Sequence, residues 1–254
     1  MNKVSTVHSK SSVSYGAGPP ANESGDFDDF VYVISHDLRN SIRALIEVPQ
    51  WIAEDLEAAG HSVEGTLGEN LDLLNAHARR LDQMLHDLLV YSRIGRGQEI
   101  CKNDLAAAIA TVCSEQKIPP DVRMDVVLKT PTIVMRDGDL LTLLGALLSN
   151  ALRHRDADMR HITIGSRAEG GGTVLSFRDD GPGVRPEFRE KIFQVMTTLK
   201  SRDEVEGSGM GLAHVQKILK VHGGRLAWVD QPDGRGVGFE LWFSDTGCEE
   251  APRI

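Results

Sequence analysis

Apolar residues recur every seven positions through the first third of this chain, in two interleaved series. Val31, Leu38, Leu45 and Ile52 form one, and Phe27, Ile34, Ser41 and Val48 the other. A helix with two such registers carries an a/d seam, and a seam needs a partner. The spacing predicts one long helix from Phe27 to the stop at Ala58-Ala59-Gly60. A second seam follows the loop at 60–68, with Leu67, Leu74, Leu81 and Leu88 in one register and Leu71, Ala78, Leu85 and Ser92 in the other. Gly95 and Gly97 end it. So short a loop makes an antiparallel hairpin, which cannot bury both seams well. The natural solution is a four-helix bundle built from two copies, hence a homodimer. The alternative is a hairpin packed on the rest of its own chain.

Composition narrows the class. Of 254 residues, 41% are hydrophobic and 26% charged, an ordinary globular balance. Aromatics are only 5%, so a core must rest on Leu, Ile, Val and Ala. No apolar run approaches the ~18 residues a membrane span needs, and residues 1–25 lack the apolar stretch of a signal peptide. Those 25 are rich in Ser, Gly, Asn and Pro and read as a disordered tail. Cys101, Cys113 and Cys248 form no CxxC pair, which fits a reducing compartment better than a disulfide scaffold or a zinc site. A net charge of −9 argues against nucleic acid as the main partner. The expectation is a cytoplasmic protein with no direct membrane insertion.

From Gln98 the texture turns to mixed α/β. Helices are predicted at 104–115, 139–154, 186–195 and 210–221. Strands are predicted at 124–128, 132–134, 162–167, 173–178, 225–229 and 236–243, the third and fourth as a hairpin split by Glu169-Gly170-Gly171-Gly172. Strands grouped with helices rather than strictly alternating suggest a two-layer α/β sandwich. The fold class is therefore α+β. Its parts are a tail (1–25), a helical hairpin (26–97), an α/β domain (98–245) and a short C-terminal tail (246–254).

Four places could carry chemistry. His36 falls at heptad position f, away from the seam, with Asp37 beside it and Asn40 one turn on. An exposed, mostly neutral imidazole can act as a nucleophile, and an adjacent carboxylate can orient it or take its proton. A surface histidine with no role is the blander reading. Asn150, Arg153 and His154 close a leucine-rich helix. A buried Asn150 needs a partner, whether a core hydrogen bond or a Mg²⁺–phosphate group that Arg153 would meet. Asp179-Asp180-Gly181-Pro182-Gly183 is a strand ending in acid and running into a turn where backbone can approach a flat ligand, although many hairpins look alike. Gly207, Gly209 and Gly211 precede Leu212 at the start of a helix. They would present backbone N–H groups to phosphate, or serve as a hinge. This is neither the GxGxxG of a dinucleotide site nor a Walker A loop. Between the last two, residues 197–205 read as a mobile lid from which Lys200 or Arg202 could reach a γ-phosphate, or as a solvated loop.

In order and spacing these motifs resemble the sensor histidine kinases of two-component signalling over residues 26–243. Ser35-His36-Asp37-Leu38-Arg39-Asn40 is similar to the H box. Asn150, Asp179 to Gly183 and Gly207 to Gly211 are similar to the N, G1 and G2 boxes of the Bergerat-type ATP-binding fold shared with Hsp90, gyrase and MutL. The resemblance implies that His36 takes the γ-phosphoryl group of ATP with Asp37 as base. It makes Asn150 the metal residue holding Mg²⁺, with Arg153 near the phosphates. Asp179 would bind the adenine amino group, and the glycines, Gly181 and Gly183 included, would shape the pocket. It also implies transfer to a response regulator, with Asn40 placing water for its dephosphorylation. Sensory input would come from a separate protein. Ser41 stands where a proline often follows the H box, Ala146 where Asn or Glu opens the N box, and Met196 where a Phe is frequent. The Ala146 departure disfavours an ATPase. A non-catalytic phosphotransfer protein with a vestigial ATP-binding domain is the other alternative.

Overall fold

The computed structural model describes residues 21–198, 207–230 and 235–246, with side chains from Ile34 onward except Ser35, His36, Asp37 and Asn40. Within the described residues the chain divides into two compact units. One comprises Gly18–Arg93 with Ile192–Ala213, the other Ile94–Lys191 with the segment from His214 onward.

The first unit is built on two helices, α1 (Ala21–Ala58) and α2 (Thr66–Arg93). α1 begins inside what the sequence reads as tail. Pro19-Pro20 precede it, and Glu23 and Asp26 lie in its first two turns, where negative charge suits the helix N-terminus. On α1, the residues buried in the hairpin lie on a face other than the seam. Ile42 and Ala78 are buried, as is Leu89, while Ile34, Leu38, Leu45, Val48 and Ile52 are all exposed. On α2, the register of Ala78 and Ser92 is buried and that of Leu67, Leu74 and Leu81 exposed. The lone hairpin thus leaves one apolar stripe on each helix uncovered.

The second unit is a two-layer sandwich. A mixed sheet runs in the order β2 (Arg123–Leu128), β4 (His161–Glu169), β5 (Gly172–Asp179), β7 (Gly238–Ser244), β6 (Arg225–Trp228). β2 pairs with β4 in parallel, and the other neighbours are antiparallel. A separate ribbon pairs β1 (Cys101–Asp104) with β3 (Thr132–Met135). Three helices complete the unit: α3 (Leu105–Glu115), α4 (Asp137–His154) and α5 (Gly211–Val221), the last beginning in the other unit's segment. Strand alternation gives the sheet two unlike faces. Leu175, Phe177, Phe239, Leu241 and Phe243 are buried on one; Leu140, Leu143, Leu144, Leu147 and Leu148 of α4 and Val215 and Ile218 of α5 are buried too. On the other, Arg167 binds Glu240 at 3.0 Å and Arg225 stacks on Trp242.

Two expectations are corrected. The segment 186–195 is two single 3-10 turns, Pro186–Phe188 and Lys191–Phe193. Phe188, Ile192 and Val195 have helical spacing, but the buried side chains are the neighbours Ile192 and Phe193, while Val195 is exposed. β1 was not foreseen. Its residues are polar, and it is held by Asn103, whose Nδ2 donates to the Met135 carbonyl at 2.8 Å.

Candidate functional site

α1 carries His36, Asp37 and Asn40 in mid-helix, where their backbone is helical; their side chains lie outside the described residues, as do Lys200 and Arg202 altogether. Among the described residues of the hairpin, Arg39, Arg43, Asp82 and His86 line a groove of about 620 Å³.

In the α/β unit, Asp179 is the last residue of β5 and continues the Leu175–Phe177 face, so its carboxylate sits at the end of the core, 8% exposed. Oδ1 accepts from the Gly181 amide at 3.0 Å and the Val237 amide at 3.2 Å. Burial pushes the carboxyl above the usual aspartate range, nearby Asp180 adds to this, and the two amides pull it back. Asp180 has a different task. Its Oδ1 accepts from the Arg160 and His161 amides at 3.0 and 2.9 Å, fastening the start of β4. The tandem acids therefore divide: Asp180 fastens the start of β4, and Asp179 is held by backbone amides at the end of β5.

Glycines pack this corner. A Cβ on Gly181 would stand 3.0 Å from Asp179 Oδ1. Gly236, at φ +82°, has no room at all, since its Cβ would fall 1.9 Å from the Asp179 carbonyl oxygen. Gly183, at φ +75°, abuts the Gly236 backbone. Gly236 and Val237 belong with this site and were not among the residues singled out from sequence. The signal was there, in a Gly-Arg-Gly turn before the last strand.

Asn150 lies in the penultimate turn of α4, half-buried, and its amide makes no hydrogen bond to the described residues. The core hydrogen bond that would have explained it is absent among them. A hard amide oxygen left available fits Mg²⁺, which takes one or two protein oxygens alongside substrate phosphates. Among the described residues there is no group of three His, Cys, Asp or Glu side chains able to hold a metal. Arg153 is exposed one turn on, and His154 is half-buried with partners of its own.

The glycine loop lies in the first unit. Gly209 has φ +73°, and a Cβ there would meet the Thr197 carbonyl oxygen at 2.7 Å. Thr197 follows Met196, which at φ +57° is the non-glycine residue with positive φ among the described residues. Ser208 is buried, donates to the Asp87 carboxylate and accepts from the Met210 amide at 3.2 Å. Gln83 donates to the other oxygen of Asp87 at 2.9 Å. Asp87 reads in the sequence as one more surface acid, and nothing there marks it. Gly211 opens α5 and Leu212 is buried.

Comparison with known proteins agrees with this layout. Residues 28–97 match the His Kinase A (phospho-acceptor) domain, and residues 136–247 the histidine kinase-, DNA gyrase B-, and HSP90-like ATPase family. The methanogenesis regulatory histidine kinase FilI of Methanothrix harundinacea is 28% identical over 92% of this chain and 26% of its own length. Cyanobacterial phytochrome A of Nostoc is 27% identical over 88% of this chain and 29% of its own. The chain thus spans under a third of these relatives. Full-length ShkA, crystallised with AMPPNP, shares the fold with a TM-score of 0.63 at 20% identity, over 87% of this chain and 47% of that one.

Proposed function

The chain belongs to the sensor histidine kinases, and from that premise we propose that it phosphorylates itself on His36 from Mg²⁺·ATP and passes the phosphoryl group to an aspartate of a response regulator. The observation that carries the reading is the Asp179 corner: a buried carboxylate at a strand end, held by two amides and walled by glycine backbone. That arrangement suits a flat base with an exocyclic amine, which donates to the carboxylate while the glycines admit the ring.

Phosphoryl transfer asks the protein mostly for positioning and charge neutralisation. A neutral His36 ring nitrogen attacks the γ-phosphorus, the bond to the β–γ bridging oxygen breaks, and ADP leaves. The other ring nitrogen gives up its proton to Asp37, leaving phosphohistidine uncharged on the ring. Asn150 would hold Mg²⁺, whose charge offsets that gathering on the phosphates. Arg153, Lys200 and Arg202 would add positive charge, and Gly207, Gly209 and Gly211 would offer backbone N–H groups. Asn40 would place water for dephosphorylating the regulator. The uncovered stripes at Leu38, Leu45 and Ile52 on α1 and at Leu74 and Leu81 on α2 support pairing of two hairpins into a four-helix bundle. No helix of the described residues is long and apolar enough to cross a membrane, and the expected site of action is the cytoplasm.

Incubation with γ-labelled ATP and Mg²⁺ tests the assignment. The wild-type protein should acquire label that survives base and is lost in acid, and His36→Gln should acquire none. Persistent label on His36→Gln would sink the assignment.

A further inference from the structure

The α/β unit holds a buried Asp–His hydrogen bond apart from the Asp179 corner. Asp139, in the first turn of α4, and His222, just past the end of α5, bring Oδ2 and Nε2 to 2.7 Å, with side chains only 8% and 3% exposed. The same carboxylate accepts the Gly95 amide on both oxygens at 3.2 Å. Because the carboxylate accepts on both sides, His222 Nε2 carries the proton and donates.

Gly95 is the second residue after α2 ends at Arg93. Its φ is +85°, and a Cβ would stand 2.6 Å from the Val221 side chain, so only glycine lets the chain approach α5 this closely. The residues around it are fixed as well. Ile94 is 4% exposed. Gln98 Oε1 accepts from the Gly138 amide at 2.8 Å, and the Gln98 carbonyl accepts from Arg136 Nε at 2.9 Å. The residues leaving the hairpin are therefore stitched to the N-terminus of α4 and the C-terminus of α5. A buried carboxylate is costly unless fully paired, and its hydrogen bonds are directional where apolar packing is not.

We propose that Asp139 and His222 are positioning residues for phosphoryl transfer. They clamp the segment 94–98 on the ATP-binding unit, so that the chain joining that unit to the His36-bearing helix starts from a rigid point. The inference rests on the histidine kinase reading above. Transfer requires the reacting atoms to come within ~3.5 Å, and a misplacement of ~1 Å far from the chemistry costs about 10²-fold in rate. Nucleotide binding makes no such demand on the linker. Loosening the clamp should therefore slow transfer and leave ATP affinity alone.

The test compares His222→Leu, which removes the donor, with His222→Gln, whose amide can still donate to Asp139. Initial rates of labelling at saturating Mg²⁺·ATP and ATP affinity by titration are measured on the full chain. We expect His222→Leu to label about tenfold or more slowly with affinity within about twofold of wild type, and His222→Gln to recover most of the rate. Wild-type rate in His222→Leu overturns the proposal. So does an affinity that falls in step with the rate, or a glutamine variant no better than leucine. If His222→Leu does not fold, Asp139→Asn carries the same comparison. Amide hydrogen exchange over 94–98 separates this proposal from the one it rests on. Should wild type fail to label, faster exchange in the variant still supports the clamp, and unchanged exchange refutes it.

Discussion

The two units treat their large apolar side chains in opposite ways. In the α/β unit, Phe177, Phe239 and Phe243 are each under 2% exposed, and Leu140, Leu143, Leu144, Leu147 and Leu148 of α4 are buried as well. In the hairpin, Leu38, Leu45, Trp51 and Ile52 are between 42% and 55% exposed. One unit completes its own core. The other displays half of a core and waits for another surface to supply the rest. Its helices hold together through Ile42, Ala78 and Leu89, so the hairpin can form first and pair second. Apolar stripes left on both helices make the pairing self-complementary, the condition for a two-fold dimer.

The largest effect that would sharpen this contrast comes from the sealed core. Phe177→Ala should cost about 3–5 kcal/mol of unfolding free energy, read by denaturant titration. The equivalent truncation Leu45→Ala on the exposed stripe should change unfolding of the dilute monomer far less. A charge on that stripe comes next. Leu45→Asp should raise the dimer dissociation constant on the order of tenfold or more, read by sedimentation, because an unpaired carboxylate would have to be buried at the seam. If Leu45→Asp dimerises like wild type, the stripe is not the interface and the contrast fails.

A subtler effect concerns pH. Burial raises the Asp179 carboxyl above its ordinary value, so the folded state holds that proton more tightly than the unfolded state. Its contribution to stability is greatest below the ordinary aspartate pKa and is lost as pH rises from there through the raised value. Asp179→Asn should remove this dependence, so the variant gains on wild type as pH increases through that window. ATP affinity should move the other way, weakening on acidification from a pH above the normal aspartate range, since the protonated acid no longer accepts two donors and an amine. The smallest effect belongs to Asp121. Its carboxyl is lowered by a backbone hydrogen bond and by Arg155 and Arg160, at an exposed position. Asp121→Asn should leave the unfolding midpoint unchanged within error.

Much of this was legible in the sequence, for reasons that differ by region. Heptad spacing announces the helices, and the hydrophobic runs of β4 and β5 announce the hairpin, because periodicity and burial coincide there. Legibility stops where structure depends on distant partners. β1 is four polar residues made into a strand by β3, thirty positions away. The 3-10 turns at 186–193 follow burial of two neighbouring side chains, which a helical spacing of apolar residues disguises. At the site, the DxGxG turn marks the acid. The Gly236 contact that closes the corner comes from the residues leading into a strand almost sixty positions later. Asp139, Asp87 and His222 carry no local signature, and only the folded chain separates them from ordinary surface residues.

The alternation of β5 has a consequence for folding fidelity. Thr173, Leu175, Phe177 and Asp179 share one face, so the acid proposed to read adenine is the last rung of the hydrophobic core. A slip of one position along β4 or β7 would turn Phe177 and Leu175 outward, and at the strand end it would offer the guanidinium of Arg178 in place of the carboxylate. Such an error would forfeit the core and reverse the charge of the site together. The molecule is thereby protected from a stable but mute impostor, since the arrangement that fails to bind is also the one that fails to fold.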